Sequence, residues 1–322
     1  MTHHEKMVLT YYKQVDTECP TIAQYSRNLN LLYLDSGLDP CYCREAHIDQ
    51  IQRILLRKSK ANVLLTGVAG CGKTALVEGV AAQMTKRKLA YELSCDQEWK
   101  AYKAMLSARI RPEGAYTDEE DFEAPPKPHL CDCVIYDLSL TALVGGTRYR
   151  GDFEKRLQKI IDECKMHPNV ILFIDEAHRL TAAGKAEESE SSAQMLKPAL
   201  ARNEIRMIGA TTTEEKAHIA KDKALWRRFC EIVVTPLSGE AAAKTAECIL
   251  QDYCRFHGII TDAPSLELWE QVQERLPNSV FPDNWINVID ETLASAVFDG
   301  RYAVGVAQFL QVLDRLAENA PK

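Results

Sequence analysis

The residues best placed to do chemistry are Gly67, Val68, Ala69, Gly70, Cys71, Gly72, Lys73 and Thr74, which satisfy the pattern GxxxxGK[ST] in full. The glycines let the backbone curl until several N–H groups face one anion, and a helix N-terminus adds partial positive charge. An apolar run, Val63–Thr66, precedes the motif, and a helical pattern from Thr74 to about Lys86 follows it. That strand–turn–helix context is what such a phosphate loop needs. Lys73 then suits the β- and γ-phosphates of ATP, the Thr74 hydroxyl suits Mg²⁺, and the amides through Ala75 complete the cradle.

About 100 residues further on, Ile171-Leu172-Phe173-Ile174-Asp175-Glu176 is an apolar strand ending in two acids. Adjacent acids at a strand end are common by chance. Downstream of a phosphate loop they divide the work of hydrolysis: Asp175 supports Mg²⁺ and Glu176 polarises the attacking water.

Elements must bring these pieces together. Val63–Thr66, Val134–Asp137, Val170–Asp175, Arg206–Gly209 and Ile232–Val234 read as short buried strands. Helical patterns lie between them, including Ile48, Ile51, Ile54 and Leu55 at helical spacing, and Asp152 to about Lys165. Strands alternating with helices predict an α/β fold with a parallel sheet. After Pro236 the pattern is helical throughout, which predicts a small α-helical domain. The expected division is an N-terminal extension over 1–36, a large α/β domain over 37–236 and the helical domain over 237–322. A surface insertion is expected over about 95–130, and a mobile loop over 181–192.

The 322 residues suffice for a large buried core, and the net charge of −7 disfavours general nucleic-acid binding. The eleven cysteines form no CxxC pair; Cys41–Cys43 and Cys131–Cys133, with His129 nearby, are expected to be reduced thiols and not a metal site. No apolar stretch of membrane-spanning length and no signal peptide is evident, so the cytoplasm is the expected compartment.

In order along most of the chain, these motifs resemble the first ATPase module of the Clp-type AAA+ unfoldases and disaggregases. Cys41-Tyr42-Cys43-Arg44 stands where that family has Val-Ile-Gly-Arg, on the adenine side of the nucleotide. Leu143 to Glu154 is similar to its substrate-gripping pore loop, with Tyr149 between Arg148 and Arg150; a solvent-exposed loop is the plainer alternative. Ala183-Gly184-Lys185 resembles a second pore loop; a disordered surface loop is the equal alternative. Ile208-Gly209-Ala210-Thr211-Thr212 resembles the strand whose threonine orients the attacking water, with Thr212 the aligned hydroxyl and Thr211 the alternative. Arg227 and Arg228 match the arginine fingers that reach a neighbouring subunit's γ-phosphate; a pair of surface arginines in ion pairs is the alternative. Phe281 to Glu291 resembles the helix by which the small domain contacts nucleotide, with no arginine at its start.

The resemblance implies a P-loop AAA+ module with a helical lid, ATP and Mg²⁺ as cofactors, a homo-hexameric ring and a protein substrate drawn through its pore. It also implies a single-module version, without the family's second ATPase module. Two other functions stay open: an ATP-dependent nucleoprotein remodeller or loader, resting on Lys58, Lys60 and Lys86-Arg87-Lys88, and a nucleotide-controlled regulatory scaffold. No membrane partner is expected.

Overall fold

A computed structural model describes residues 1–35, 37–107, 124–145, 150–181 and 187–319, with the side chains of 105–107, 150 and 187–192 left aside. The chain opens with α1 (His3–Glu18), α2 (Pro20–Tyr25), β1 (Ser26–Asn28) and α3 (Leu29–Asp35). Then follow α4 (Glu45–Leu55), β2 (Asn62–Thr66), α5 (Lys73–Ser107), β3 (Val134–Leu138), α6 (Leu140–Val144), α7 (Arg150–Met166) and β4 (Val170–Ile174). After a 3-10 turn (Ala177–Leu180) come α8 (Glu187–Ala201), β5 (Arg206–Thr211), α9 (Lys216–Lys221), α10 (Lys223–Trp226) and β6 (Phe229–Val233). The C-terminal part is α11 (Gly239–His257), β7 (Ile260–Thr261), α12 (Ser265–Arg275), α13 (Asp283–Phe298), β8 (Ala303–Val304) and α14 (Val306–Asn319).

The main sheet runs β1-β3-β4-β5-β2-β6. Its last five strands are parallel, and only the β1–β3 edge is antiparallel. Parallel strands joined by helices are buried on both faces, which is why β2 and β4 are apolar and covered throughout. Alternation still assigns the faces. Leu64, Leu172 and Ile174 join one core with Leu157, Ile160 and Leu196. Val63, Leu65, Ile171 and Phe173 join the other with Ile51, Leu76 and Val80. A third core is centred on Trp285, whose indole N–H donates to the Ala246 carbonyl at 3.0 Å. It belongs to α11–α14, the helical part expected after Pro236, with a two-stranded parallel pair added (β7–β8).

Residues 1–35, the expected N-terminal extension, pack onto the α/β part: Val8, Tyr12 and Val15, on one stripe of α1, are buried in the first core. Each such burial is worth roughly 1.5–3 kcal/mol, enough together to hold the helix down. β1 then adds itself to the sheet edge. The helix after the phosphate loop continues to Ser107, so the first part of the expected insertion is the far end of α5. Among the described residues no helix is long and apolar enough to cross a membrane.

Candidate nucleotide site

Because β2, β4 and β5 are parallel and adjacent, their carboxyl ends lie on one edge of the sheet, where open α/β sheets bind ligands. β2 delivers the phosphate loop, β4 delivers Asp175 and Glu176, and β5 delivers Thr211 and Thr212.

The loop's shape depends on its glycines. Gly70 and Gly72 have φ of +76° and +88°, the left-handed region that other residues enter at a cost. A side chain at Gly67 would collide with the Val234 carbonyl oxygen. Beyond the turn, the N–H groups of Lys73, Thr74 and Ala75 open α5 with no intrahelical acceptor, whereas Leu76 already bonds to the Gly72 carbonyl at 3.0 Å. These free amides and the helix dipole make an anion cradle. The Lys73 ammonium donates to the carbonyls of Gly67 (3.0 Å) and Val68 (2.9 Å), so it already lies along the loop.

The Thr74 hydroxyl donates to Asp175 Oδ2 at 2.8 Å. Asp175 Oδ1 accepts the Glu176 N–H, also at 2.8 Å. Hydroxyl and carboxylate are hard oxygen donors, and the Asp175 carboxylate is exposed; the pair fits Mg²⁺, which takes few protein oxygens and keeps several waters. Glu176 is exposed, in a left-handed conformation (φ 51°), and its carboxylate meets the Arg179 guanidinium at 2.7 Å.

Two residues from the entry segment complete the loop's surroundings. Arg44 is 4 % exposed and donates to the Cys71 carbonyl at 3.1 Å. Burial lowers the pKa of its guanidinium, although the neighbouring thiols pull the other way. Cys41 packs against α5 at Gly79, and burial pushes its thiol up to about 11. Burial likewise raises the Cys71 thiol. Both thiols are free and fill space beside the loop. Tyr42 reaches the other way: it packs against the third core and its hydroxyl donates to Asp252 on α11. Cys43 has φ 55°, in the left-handed region that favours glycine. From the helical part, Asp283 opens α13 against the loop itself; a Cβ at Gly70 would sit 2.9 Å from that of Asp283.

The two candidate threonines differ. Thr212 uses its hydroxyl in a turn, donating to Glu215 Oε2 at 2.8 Å and accepting the Glu215 N–H at 3.2 Å. Thr211 is 2 % exposed at the end of β5, and its hydroxyl lies 3.2 Å from His178 Nδ1.

Arg227 and Arg228 stand at the opposite edge. They precede Phe229, which is paired with Asn62 at the start of β2, while the phosphate loop begins beyond Thr66 at its end. Four residue steps at ~3.3 Å separate these ends by about 13 Å, beyond the reach of an arginine side chain to its own loop. Among the described residues neither arginine has an acidic partner. Asp222 fixes α10, which carries them: its carboxylate caps the amides of Ala224 (3.2 Å) and Leu225 (3.1 Å) and pairs with Lys197 at 2.5 Å. The buried Asn62 adds a bond from its side-chain amide to the Arg228 carbonyl at 3.4 Å. Sequence reasoning passed over His178, Asp222 and Asn62, each a single polar residue outside any pattern, and gave Arg44 no role beyond its place in the entry segment.

Arg148 and Tyr149 lie outside the described residues, as does Ala183-Gly184-Lys185; Arg150 opens α7.

Comparison with known proteins agrees with this architecture. The family described as "ATPase family associated with various cellular activities (AAA)" matches residues 63–237. A ClpA homolog of Porphyra purpurea, named as an ATP-binding subunit of the ATP-dependent Clp protease, is 34% identical over 280 residues, 86% of this chain and 30% of that protein. The chaperone protein ClpB of Aquifex aeolicus is 34% identical over 281 residues, 87% of this chain and 24% of its own length. Among solved structures, the extended S. cerevisiae Hsp104:casein complex superposes with a TM-score of 0.68 at 26% identity, covering 92% of this chain and 45% of that one. The chain thus spans about a third or less of the curated relatives it matches. With the phosphate loop, the paired acids and the strand order all in agreement, the chain belongs to the AAA ATPase family, as a Clp-type member.

Proposed function

We propose that this ATPase works in a ring, most simply a homo-hexamer, and remodels or unfolds protein substrates by drawing polypeptide through a central pore. The observation that carries the assembly is the separation of Arg227 and Arg228 from their own phosphate loop. Arginines that cannot reach their own nucleotide, and have no acidic partner among the described residues, suit a neighbour's γ-phosphate.

The phosphates of ATP rest on the amides of the loop and of the first turn of α5. Lys73 exchanges the Gly67 and Val68 carbonyls for β- and γ-phosphate oxygens. Thr74 and Asp175 would hold Mg²⁺, which when bound neutralises charge on those oxygens. Glu176 leaves Arg179 and polarises a water for in-line attack on the γ-phosphorus. Thr211, whose hydroxyl is not consumed by a turn, replaces Thr212 as the threonine that orients this water. The backbone at Cys41 and Tyr42 would flank the base, with both side chains engaged elsewhere. Arg227 and Arg228 from the adjoining subunit stabilise the charge of the transition state.

The pulling step rests on resemblance and on the relatives. Arg148, Tyr149 and Arg150 would line the pore, where an aromatic ring grips any passing side chain. The structural neighbour in complex with casein supports a polypeptide substrate. The test is unfolding of a fluorescent model protein by the Tyr149→Ala variant. Unfolding is expected to fall at least tenfold more than ATP turnover does; unfolding in step with wild type would contradict threading.

A further inference from the structure

The 3-10 turn after Glu176 lies flat on β5. A Cβ at Gly209 would come to 3.0 Å from Ala177 Cβ, so the glycine lets the turn pack tightly on the strand. The approach delivers His178, whose side chain is 12% exposed, to a position where Nδ1 is 3.2 Å from both Thr211 Oγ1 and Glu215 Oε2. Glu215 Oε2 in turn accepts the Thr212 hydroxyl, and that hydroxyl accepts the Glu215 N–H at the turn leading into α9.

One ring nitrogen cannot be donor and acceptor at once. A bare Nδ1 would accept the Thr211 hydroxyl proton, but would set its lone pair against a carboxylate oxygen. A protonated Nδ1 donates to Glu215 and leaves the Thr211 proton unclaimed by the ring. The anionic form of Glu215 selects the second arrangement. Its carboxyl is held below the usual glutamate range, first by the Thr212 hydroxyl and then, against burial, by the neighbouring imidazoles of His178 and His218. The elements then connect. Glu215 adjoins α9, α9 packs on α10, and α10 ends at Arg227. Lys216, the first residue of α9, also holds Glu231 on β6 at 2.9 Å, and Glu231 accepts the hydroxyl of Thr66 just before the phosphate loop at 2.7 Å.

We propose that His178 is a positioning residue: through Nδ1–H it holds Glu215, frees the Thr211 hydroxyl proton for the nucleotide edge, and ties the Glu176 turn to the helices bearing Arg227. This rests on the site assignment above, with Glu176 as the water-polarising group.

The test is steady-state ATP turnover of the full chain for His178→Ala, His178→Asn and His178→Gln, with Glu176→Gln measured alongside. Loss of one well-placed hydrogen bond should lower kcat about tenfold in His178→Ala, with KM for ATP within about twofold. Asparagine puts an amide where Nδ1 stands and should recover most of the loss; glutamine, which puts it at the Nε2 position, should not. Wild-type kcat in His178→Ala, equal loss in the asparagine and glutamine variants, or a change in KM alone would overturn the proposal. Should His178→Ala not fold, Glu215→Gln keeps a partner for Thr212 while removing the charge that selects the tautomer. It should lower kcat, and adding His178→Gln, which by itself lowers kcat, should lower it no further than Glu215→Gln alone; fully additive losses would overturn the coupling. Normal hydrolysis by Glu176→Gln would instead refute the site assignment itself, so the two failures are distinct.

Discussion

The hydroxyl of Thr74 and the carboxylate of Asp175, 101 residues apart in the chain, meet at 2.8 Å. The contact exists because β2 and β4 end on the same edge with only β5 between them. It joins the last residue of the phosphate loop to the first of the two acids, and with Glu176 it marks the site proposed for hydrolysis. Replacing Glu176 with glutamine keeps the loop and this pair. ATP is expected to bind with near-normal affinity while kcat falls by roughly 10²–10⁴, measured by nucleotide binding and phosphate release.

Glu176 is held by Arg179, and both side chains are about half exposed. An exposed pair is worth about 1 kcal/mol at most. Arg179→Ala should therefore raise basal turnover, by no more than about fivefold, and the rise should shrink as salt screens the pair in the wild type. Reduced turnover in that variant would show that Arg179 aids catalysis.

Cys43 holds a left-handed conformation at φ 55°. The strain is about 1–2 kcal/mol for a residue with a Cβ, partly offset by the greater unfolded freedom of glycine. Cys43→Gly should stabilise the protein by about 0.5–1 kcal/mol, read from denaturant midpoints.

Asp222 caps α10 and pairs with Lys197. Burial pushes its carboxyl up, but the Lys197 ammonium and the amides of Leu225 and Ala224 more than offset this and leave it below the usual aspartate range. A depressed folded-state pKa gives stability that is present above the unfolded value, near 3.9, and lost as pH falls through the folded one. Asp222→Asn should remove this acid-side contribution, so the variant's stability should fall less than that of wild type between about pH 5 and 2. Asp222→Ala also removes the cap, a loss of about 1 kcal/mol, and should lower turnover by loosening Arg227.

Much of this was legible in the sequence because it rests on local pattern. The strands β2 and β4 are fully buried apolar runs, and the phosphate loop is a full motif in its proper context. The edge strand Ser26-Arg27-Asn28 was not legible, since three polar residues carry no alternation. The stripe Val8, Tyr12, Val15 was visible but short. Beyond Lys86, α5 continues through Cys95-Asp96-Gln97-Glu98, whose polarity reads as surface insertion although no glycine or proline interrupts it before Ser107. The choice between Thr211 and Thr212 depended on which hydroxyl the Glu215 turn consumes. Partners such as Asp222 to Lys197, or His178 to Thr211, arise only when distant segments are brought together.

The central claim is that Arg227 and Arg228 complete a neighbour's site and not their own. The most direct measurement is ATP turnover on mixing two inactive variants, Arg227→Ala/Arg228→Ala and Glu176→Gln, as full-length chains. A subunit lacking fingers keeps Glu176 and can be served by the fingers of a Glu176→Gln neighbour. Random co-assembly should restore roughly a quarter of wild-type turnover, because about one interface in four pairs the intact halves in the right order. Turnover that stays at the sum of the two separate variants in mixed assemblies would contradict fingers acting between subunits.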